Sequence, residues 1–273
     1  MREDLISRAG RPAIRIRRCG VGRPVVLVHG FASGLEGWPR DGVASLCNAY
    51  HVILIDLPGH GGSAPATLDD THPEAAVDAL LSAVGAVTDI EAASWMGYSM
   101  GARLLLTALA LGAPLRHLLL ESANPGIVEP SERSRRAARD AVWAARFERE
   151  PLGSVLDDWL AQPIFATRAE LSPSDRDRQR GVREAADGAS LGAWLRGFGS
   201  GTMPPAWSAL EGSTVPLDLL VGDRDLRYVE LARAIERRRL DARIEIATGV
   251  GHAPHIEAPD VWTEWVAAAL KEG

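Results

Sequence analysis

Residues 95–106 read WMGYSMGARLLL, and the reading of Ser99, set between Gly97 and Gly101, decides the fold. The run before the serine, AASWMGY (92–98), is apolar and β-prone. The run after it, MGARLLLTALALG, has the apolar spacing of a helix. Ser99 is therefore expected on a strand-to-helix turn. In that frame G-x-S-x-G is a nucleophile elbow. Glycines two before and two after the serine let strand and helix close around a strained residue. A five-residue pattern arises by chance, so the strand–turn–helix frame gives it its weight.

Further β-prone runs lie on either side: AIRIRR (13–18), PVVLVHG (24–30), HVILIDL (51–57), LRHLLLES (115–122), PLDLLVG (216–222) and ARIEIATG (242–249). VVLV and VILI are continuously apolar, as expected of strands buried on both faces of a parallel sheet. Helical patterns separate most of these runs, which predicts βαβ units and an α/β fold with a mostly parallel sheet. Residues 125–206 break the alternation. They read as helices separated by Pro and Gly, with no convincing strand. The expected organisation is a core of residues 1–124 and 207–273 carrying a helical cap at 125–206. The two strand-like runs after the insertion are too few to form a sheet alone, which argues against a second independent domain.

An activated serine needs a base, and the base needs an orienting acid. GVGHAPHIEAP offers His252 and LLVGDRD offers Asp225, each just past a strand-like run. The order Ser99, Asp225, His252 suits a triad on this kind of sheet. Asp218 and Asp223 are the rival acids; Asp218 lies inside its run, and Asp223 suits a turn hydrogen bond. The backbone N–H groups of Met100, directly after the serine, and Phe31, in the loop after VVLV, are the candidate oxyanion donors. His29 is expected to pack under that loop. DLPGHGGS (56–63) lacks a following GK[ST], so it is expected to shape the rim of the site and not to cradle phosphate.

The chain has 273 residues, 46% hydrophobic and 24% charged, with a net charge of -6. That composition indicates a globular protein and offers nothing to a nucleic-acid partner. Lys271 is the single lysine; arginine carries the remaining basic charge. Cys19 and Cys47 show no metal or redox spacing, and two free thiols in a reducing compartment are expected. The charged N-terminus has no apolar signal region, and no run approaches the ~20 apolar residues of a membrane span. A cytoplasmic location is the default expectation.

VLVHGFASGLEGW, DLPGHGGS, GYSMG, LLVGDRD and GVGHAPHIEAP together resemble the α/β-hydrolase superfamily. Its dehalogenases and epoxide hydrolases place Asp at the elbow, and Ser99 argues against both. A narrower resemblance rests on GYSMGAR, ESANPGI, GHAPHIEAP and the cap stretch ARFEREPLGSVLDDWLAQPIFA. It is to the menaquinone-pathway lyase family MenH, the 2-succinyl-6-hydroxy-2,4-cyclohexadiene-1-carboxylate synthases. This resemblance implies a cofactor-free and metal-free 2,5-elimination of pyruvate from a substrate with three carboxylates, using the Ser-His-Asp set as base. It also implies substrate contacts from Arg103, Arg136, Arg183 and Trp159, with Arg180 the alternative match to Arg183. Arg103 has independent support, because four residues after Ser99 it returns to the same helix face. Tyr98, beside the serine, is a further candidate lining residue. The family's glycine after GYSxG is Ala102 here. Residues 125–206 hold equal numbers of arginines and acids, so only inward-facing arginines would make a pocket positive. Two other readings remain: a serine hydrolase with the same triad, and a non-catalytic binding protein, which would have no need of a complete triad.

Overall fold

The computed structural model describes residues 2–272. Its centre is an eight-stranded sheet: β1 (Arg2–Arg8), β2 (Arg11–Cys19), β3 (Pro24–Val28), β4 (His51–Ile55), β5 (Ser94–Tyr98), β6 (His117–Glu121), β7 (Leu217–Gly222) and β8 (Arg243–Ala247). The spatial order is β1-β2-β4-β3-β5-β6-β7-β8. β1 and β2 pair antiparallel, as do β2 and β4, and every pair from β4 through β8 is parallel. β3, β5, β6 and β7 are buried along their whole length, which is why their sequences are apolar without alternation.

Seven strands match the apolar runs. β1 does not, because REDLISR is a mostly exposed edge strand with a single paired side. Charge fixes it: Glu3 meets Arg15 and Arg17, and Asp4 meets Arg18.

Helices α1 (Arg40–Cys47), α2 (Pro73–Gly85) and α3 (Met100–Ala110) precede the long insertion. Between β6 and β7 the described residues form no strand. They form α4 (Pro130–Arg149), α5 (Leu152–Leu160), α6 (Pro173–Glu184), α7 (Gly188–Phe198) and α8 (Trp207–Gly212), with a 3-10 segment at Pro163–Glu170. α9 (Leu226–Glu236), α10 (Pro254–Glu257) and α11 (Pro259–Glu272) complete the chain. α2, α3, α8 and α9 bury apolar side chains on one face of the sheet; α1 and α11 cover the other. The inserted helices have a small core of their own, including Ala144, Phe147, Val155, Leu156 and Leu191. α7 joins both regions, because its Trp194 and Phe198 pack into the main core. No helix among the described residues is long and apolar enough to cross a membrane.

The expectation of two free thiols is overturned. Cys19 and Cys47 form a disulfide with their Cα atoms 5.5 Å apart, an ordinary span for such a bond. The two lie far apart in sequence, so spacing concealed the pair. Gly20 brings them together: it adopts φ 72°, and a Cβ there would fall 2.3 Å from the Cys47 carbonyl oxygen. The end of β2 can run against the end of α1 only with glycine at that point.

Candidate active site

β5 delivers Ser99 into the turn, and α3 starts immediately after it. Ser99 sits at φ 49°, ψ −102°, a conformation seldom adopted by a non-glycine residue. The surroundings enforce it. A Cβ on Gly101 would lie 2.1 Å from the Val28 carbonyl oxygen, and one on Gly97 would lie 2.7 Å from the Ala102 nitrogen. Both glycines are thus needed for the close approach of strand and helix. The Ser99 N–H donates to the Glu121 carbonyl at 2.9 Å, tying the turn to the end of β6.

His252 lies on the loop after β8, and Asp225 on the loop after β7. Ser99 Oγ lies 3.0 Å from His252 Nε2, and His252 Nδ1 lies 2.6 Å from Asp225 Oδ2. The Nδ1–H donates to the carboxylate, which leaves Nε2 free to accept from the serine. The rival acids are committed elsewhere. Asp218 pairs with His117 and Arg243, and Asp223 accepts the Gly249 N–H. The Ser122 hydroxyl donates to the His252 carbonyl at 2.8 Å and anchors that loop.

Met100 is the first residue of α3, so its N–H has no partner within the helix. Phe31 follows β3 in a loop with Ala32 at φ 49°. Two buried histidines brace that loop. His29 donates from Nδ1 to the Gly30 carbonyl and accepts the Leu57 N–H at Nε2. His60 donates to the Pro58 carbonyl and accepts the Ala32 N–H. Burial lowers His29 to about 4 and His60 to about 3, so both stay neutral. The stretch 56–63 does not form the rim expected of it, because none of its residues lines the cavity beside Ser99. It braces the loop that carries Phe31 from behind, since His60 and Asp56 are both buried.

A cavity of about 260 Å³ opens beside Ser99 and His252, between the strand ends and the inserted helices. Phe31, Tyr98, Trp143, Trp159, Phe165 and Tyr228 give it aromatic walls. Trp159 packs against Phe31 and Trp143, with ring centroids 4.9 and 5.1 Å apart. Tyr98 packs on His252 and His255, and burial raises its pKa.

The arginines divide. Arg103 lines the cavity, is only 8% exposed and makes no ion pair among the described residues. It donates to the Phe198 carbonyl at 2.7 Å, and burial lowers its pKa to about 10. Arg136 also lines the cavity, but its Nε donates to Asp140 at 2.8 Å. Arg183 is buried and donates to the Gln179 carbonyl. It is not among the residues lining the cavity, contrary to expectation. Arg183 projects from α6, whereas α4 and α5 supply the arginines and tryptophans of the roof. Arg180 sits on the surface, paired with Asp157 and Glu184. The structure adds Arg139 and Arg227 to the lining, along with Trp143, Phe165 and Tyr228. A signal existed for both arginines: Arg139 shares a helix face with Arg136, and Arg227 lies two residues after Asp225.

This chain belongs to the α/β-hydrolase family, whose model matches residues 25–265. An esterase from Thermogutta terrifontis shares the fold, with a TM-score of 0.80 at 22% identity and 100% of this chain and 99% of the esterase covered. Within the family, the chain is similar to proteins named 2-succinyl-6-hydroxy-2,4-cyclohexadiene-1-carboxylate synthase. The one from Serratia proteamaculans is 33% identical over 245 residues, covering 87% of this chain and 89% of the relative. That from Yersinia pseudotuberculosis is 32% identical, covering 91% and 87%. The solved structure of MenH from S. aureus aligns with a TM-score of 0.86 at 27% identity, covering 95% of this chain and 98% of that one.

Proposed function

We propose that this protein is a menaquinone-pathway lyase that eliminates pyruvate from 2-succinyl-5-enolpyruvyl-6-hydroxy-3-cyclohexene-1-carboxylate. Its product would be 2-succinyl-6-hydroxy-2,4-cyclohexadiene-1-carboxylate. The observation that carries this reading is Arg103, a buried cation without a counter-ion, one helical turn beyond Ser99. A buried unpaired charge is costly unless a ligand of opposite sign completes it. The relatives bearing the synthase name support the same reading.

In this mechanism Ser99 and His252 act together as the base, and Asp225 orients and stabilises the imidazole. A proton leaves the carbon beside the succinyl ketone. The electron pair moves onto the ketone oxygen, which the N–H groups of Phe31 and Met100 receive. Collapse of the enolate breaks the ring carbon–oxygen bond and forms the second ring double bond. The enolpyruvyl oxygen departs with the bonding pair, takes up a proton and becomes pyruvate. Residues 125–206 serve as the cap of this site. They present Arg136 and Trp159 to the substrate, whereas Arg183 braces α6 through its bond to the Gln179 carbonyl.

The test is direct. Purified protein should release pyruvate from that substrate, followed with a coupled lactate dehydrogenase assay. No pyruvate, with rapid turnover of p-nitrophenyl esters, would replace the lyase reading with a serine hydrolase. That second reading draws on the 3.0 Å contact of His252 with the Ser99 hydroxyl, which suits nucleophilic attack equally well.

A further inference from the structure

Four arginines and one carboxylate, Asp140, line the cavity of a chain whose net charge is -6. Asp140 is already engaged with Arg136. That leaves Arg103, Arg139 and Arg227 lining the cavity without an ion pair among the described residues. Two neighbours differ. On α4, which carries Arg139, Arg146 is paired with Glu150 and Asp158. Arg224, three residues before Arg227, is paired with Glu170. Arg139 and Arg227 make no such ion pair, and α4 also leaves Arg133, Arg135 and Arg149 without one among the described residues.

Arg139 comes from the inserted helices, and Arg227 from the first turn of α9 in the core. Both are exposed, whereas Arg103 is buried beside the Ser99 turn. Tyr228 feels the positive charges of Arg103, Arg136 and Arg227, so these groups converge on the same wall. We propose that Arg139 and Arg227 form an outer anion subsite that receives two carboxylates of a tricarboxylate ligand whose third carboxylate is held by Arg103. This deepens the lyase reading and rests on it for the identity of the natural ligand. Three guanidinium groups without an ion pair among the described residues face a substrate with three carboxylates, each a planar acceptor suited to a guanidinium fork. Arg136 also lines the cavity, with its charge shared with Asp140. The same concentration of positive charge raises the local concentration of anionic substrate on a protein that otherwise repels it.

The experiment uses benzene-1,3,5-tricarboxylate and benzoate as probes, titrated calorimetrically into the wild type, Arg139→Gln, Arg227→Gln and the double variant. Because both side chains are solvent-exposed, each substitution is expected to weaken tricarboxylate binding by about fivefold, and the pair by about 25-fold. Benzoate binding should change by less than about twofold in the same variants, because Arg103 remains. Pyruvate release should show a larger rise in KM than fall in kcat. A wild type that does not prefer the tricarboxylate to benzoate, or a double variant that keeps the full preference, overturns the subsite. If the preference follows the two arginines while wild type releases no pyruvate, the lyase reading fails and the subsite stands. Pyruvate release with an unchanged KM in the double variant removes the subsite and leaves the lyase reading intact.

Discussion

The floor and the roof of the cavity are held in different ways. The floor consists of loops at the ends of parallel strands, where Ser99, Asp225 and His252 follow β5, β7 and β8. The sheet register and two crowded glycines leave these residues little freedom, and each triad side chain contacts the next. The roof consists of α4, α5 and the 3-10 segment, which supply Arg136, Arg139, Trp143 and Trp159. These helices rest on one another through a separate small core. Facing the cavity, Trp143 and Trp159 pack on each other and Arg136 holds Asp140. The floor therefore carries chemistry that many proteins of this family could share. On the proposed lyase reading, the roof, with Arg103 beneath it, selects what is brought to that chemistry.

The largest expected effect tests the floor. Ser99→Ala should lower kcat for pyruvate release by about a thousandfold or more, in line with loss of a triad member. Near-normal turnover in that variant would end the triad assignment. Arg103→Ala comes next, and it tests whether selection is separable from chemistry. Loss of one charge-assisted contact should cost about 100-fold in kcat/KM on the polycarboxylate substrate. The loss on a neutral ester should be much smaller, and equal losses would show that floor and roof are not separable in this way.

The smallest effect concerns what supports the floor. His29 and His60 are held neutral at about 4 and about 3, against a free value of 6.5. Below pH 6.5 the unfolded chain takes up protons on both residues while the folded chain does not. Their contribution is thus fully present above pH 6.5. It falls as pH drops below 6.5 towards 4 and then 3. Melting temperature should decline between pH 7 and pH 4, and His60→Asn should flatten the decline even if its melting temperature is lower throughout. An unchanged slope in that variant would remove His60 as a source of the acid sensitivity.

GHAPHIEAP shows how far residue order can reach. It holds two histidines three residues apart, and both have a carboxylate partner at 2.6 Å. His252 meets Asp225 and faces Ser99. His255 meets Glu121 instead, with both side chains buried, and stacks on Trp38 and Tyr98. The position of His252 just past a strand pointed to it correctly as the serine's neighbour. The second pair was invisible, because Glu121 is the last residue of an apolar strand and its partner lies far along the chain. β1 escaped for a different reason: an exposed edge strand needs no apolar run, and its charges find their partners only across the sheet.

The sequence by itself determined seven of the eight strands, the elbow, and the order and loop positions of Ser99, Asp225 and His252. Those features follow from apolar runs of strand length and from glycines required within a few residues of one turn. The tertiary structure alone decided which arginines face the cavity, admitting Arg139 and Arg227 and excluding Arg183. It alone brought Cys19 to Cys47 as well. A helix displays charge on several faces, and which face becomes the wall of a cavity depends on packing against residues distant in the chain.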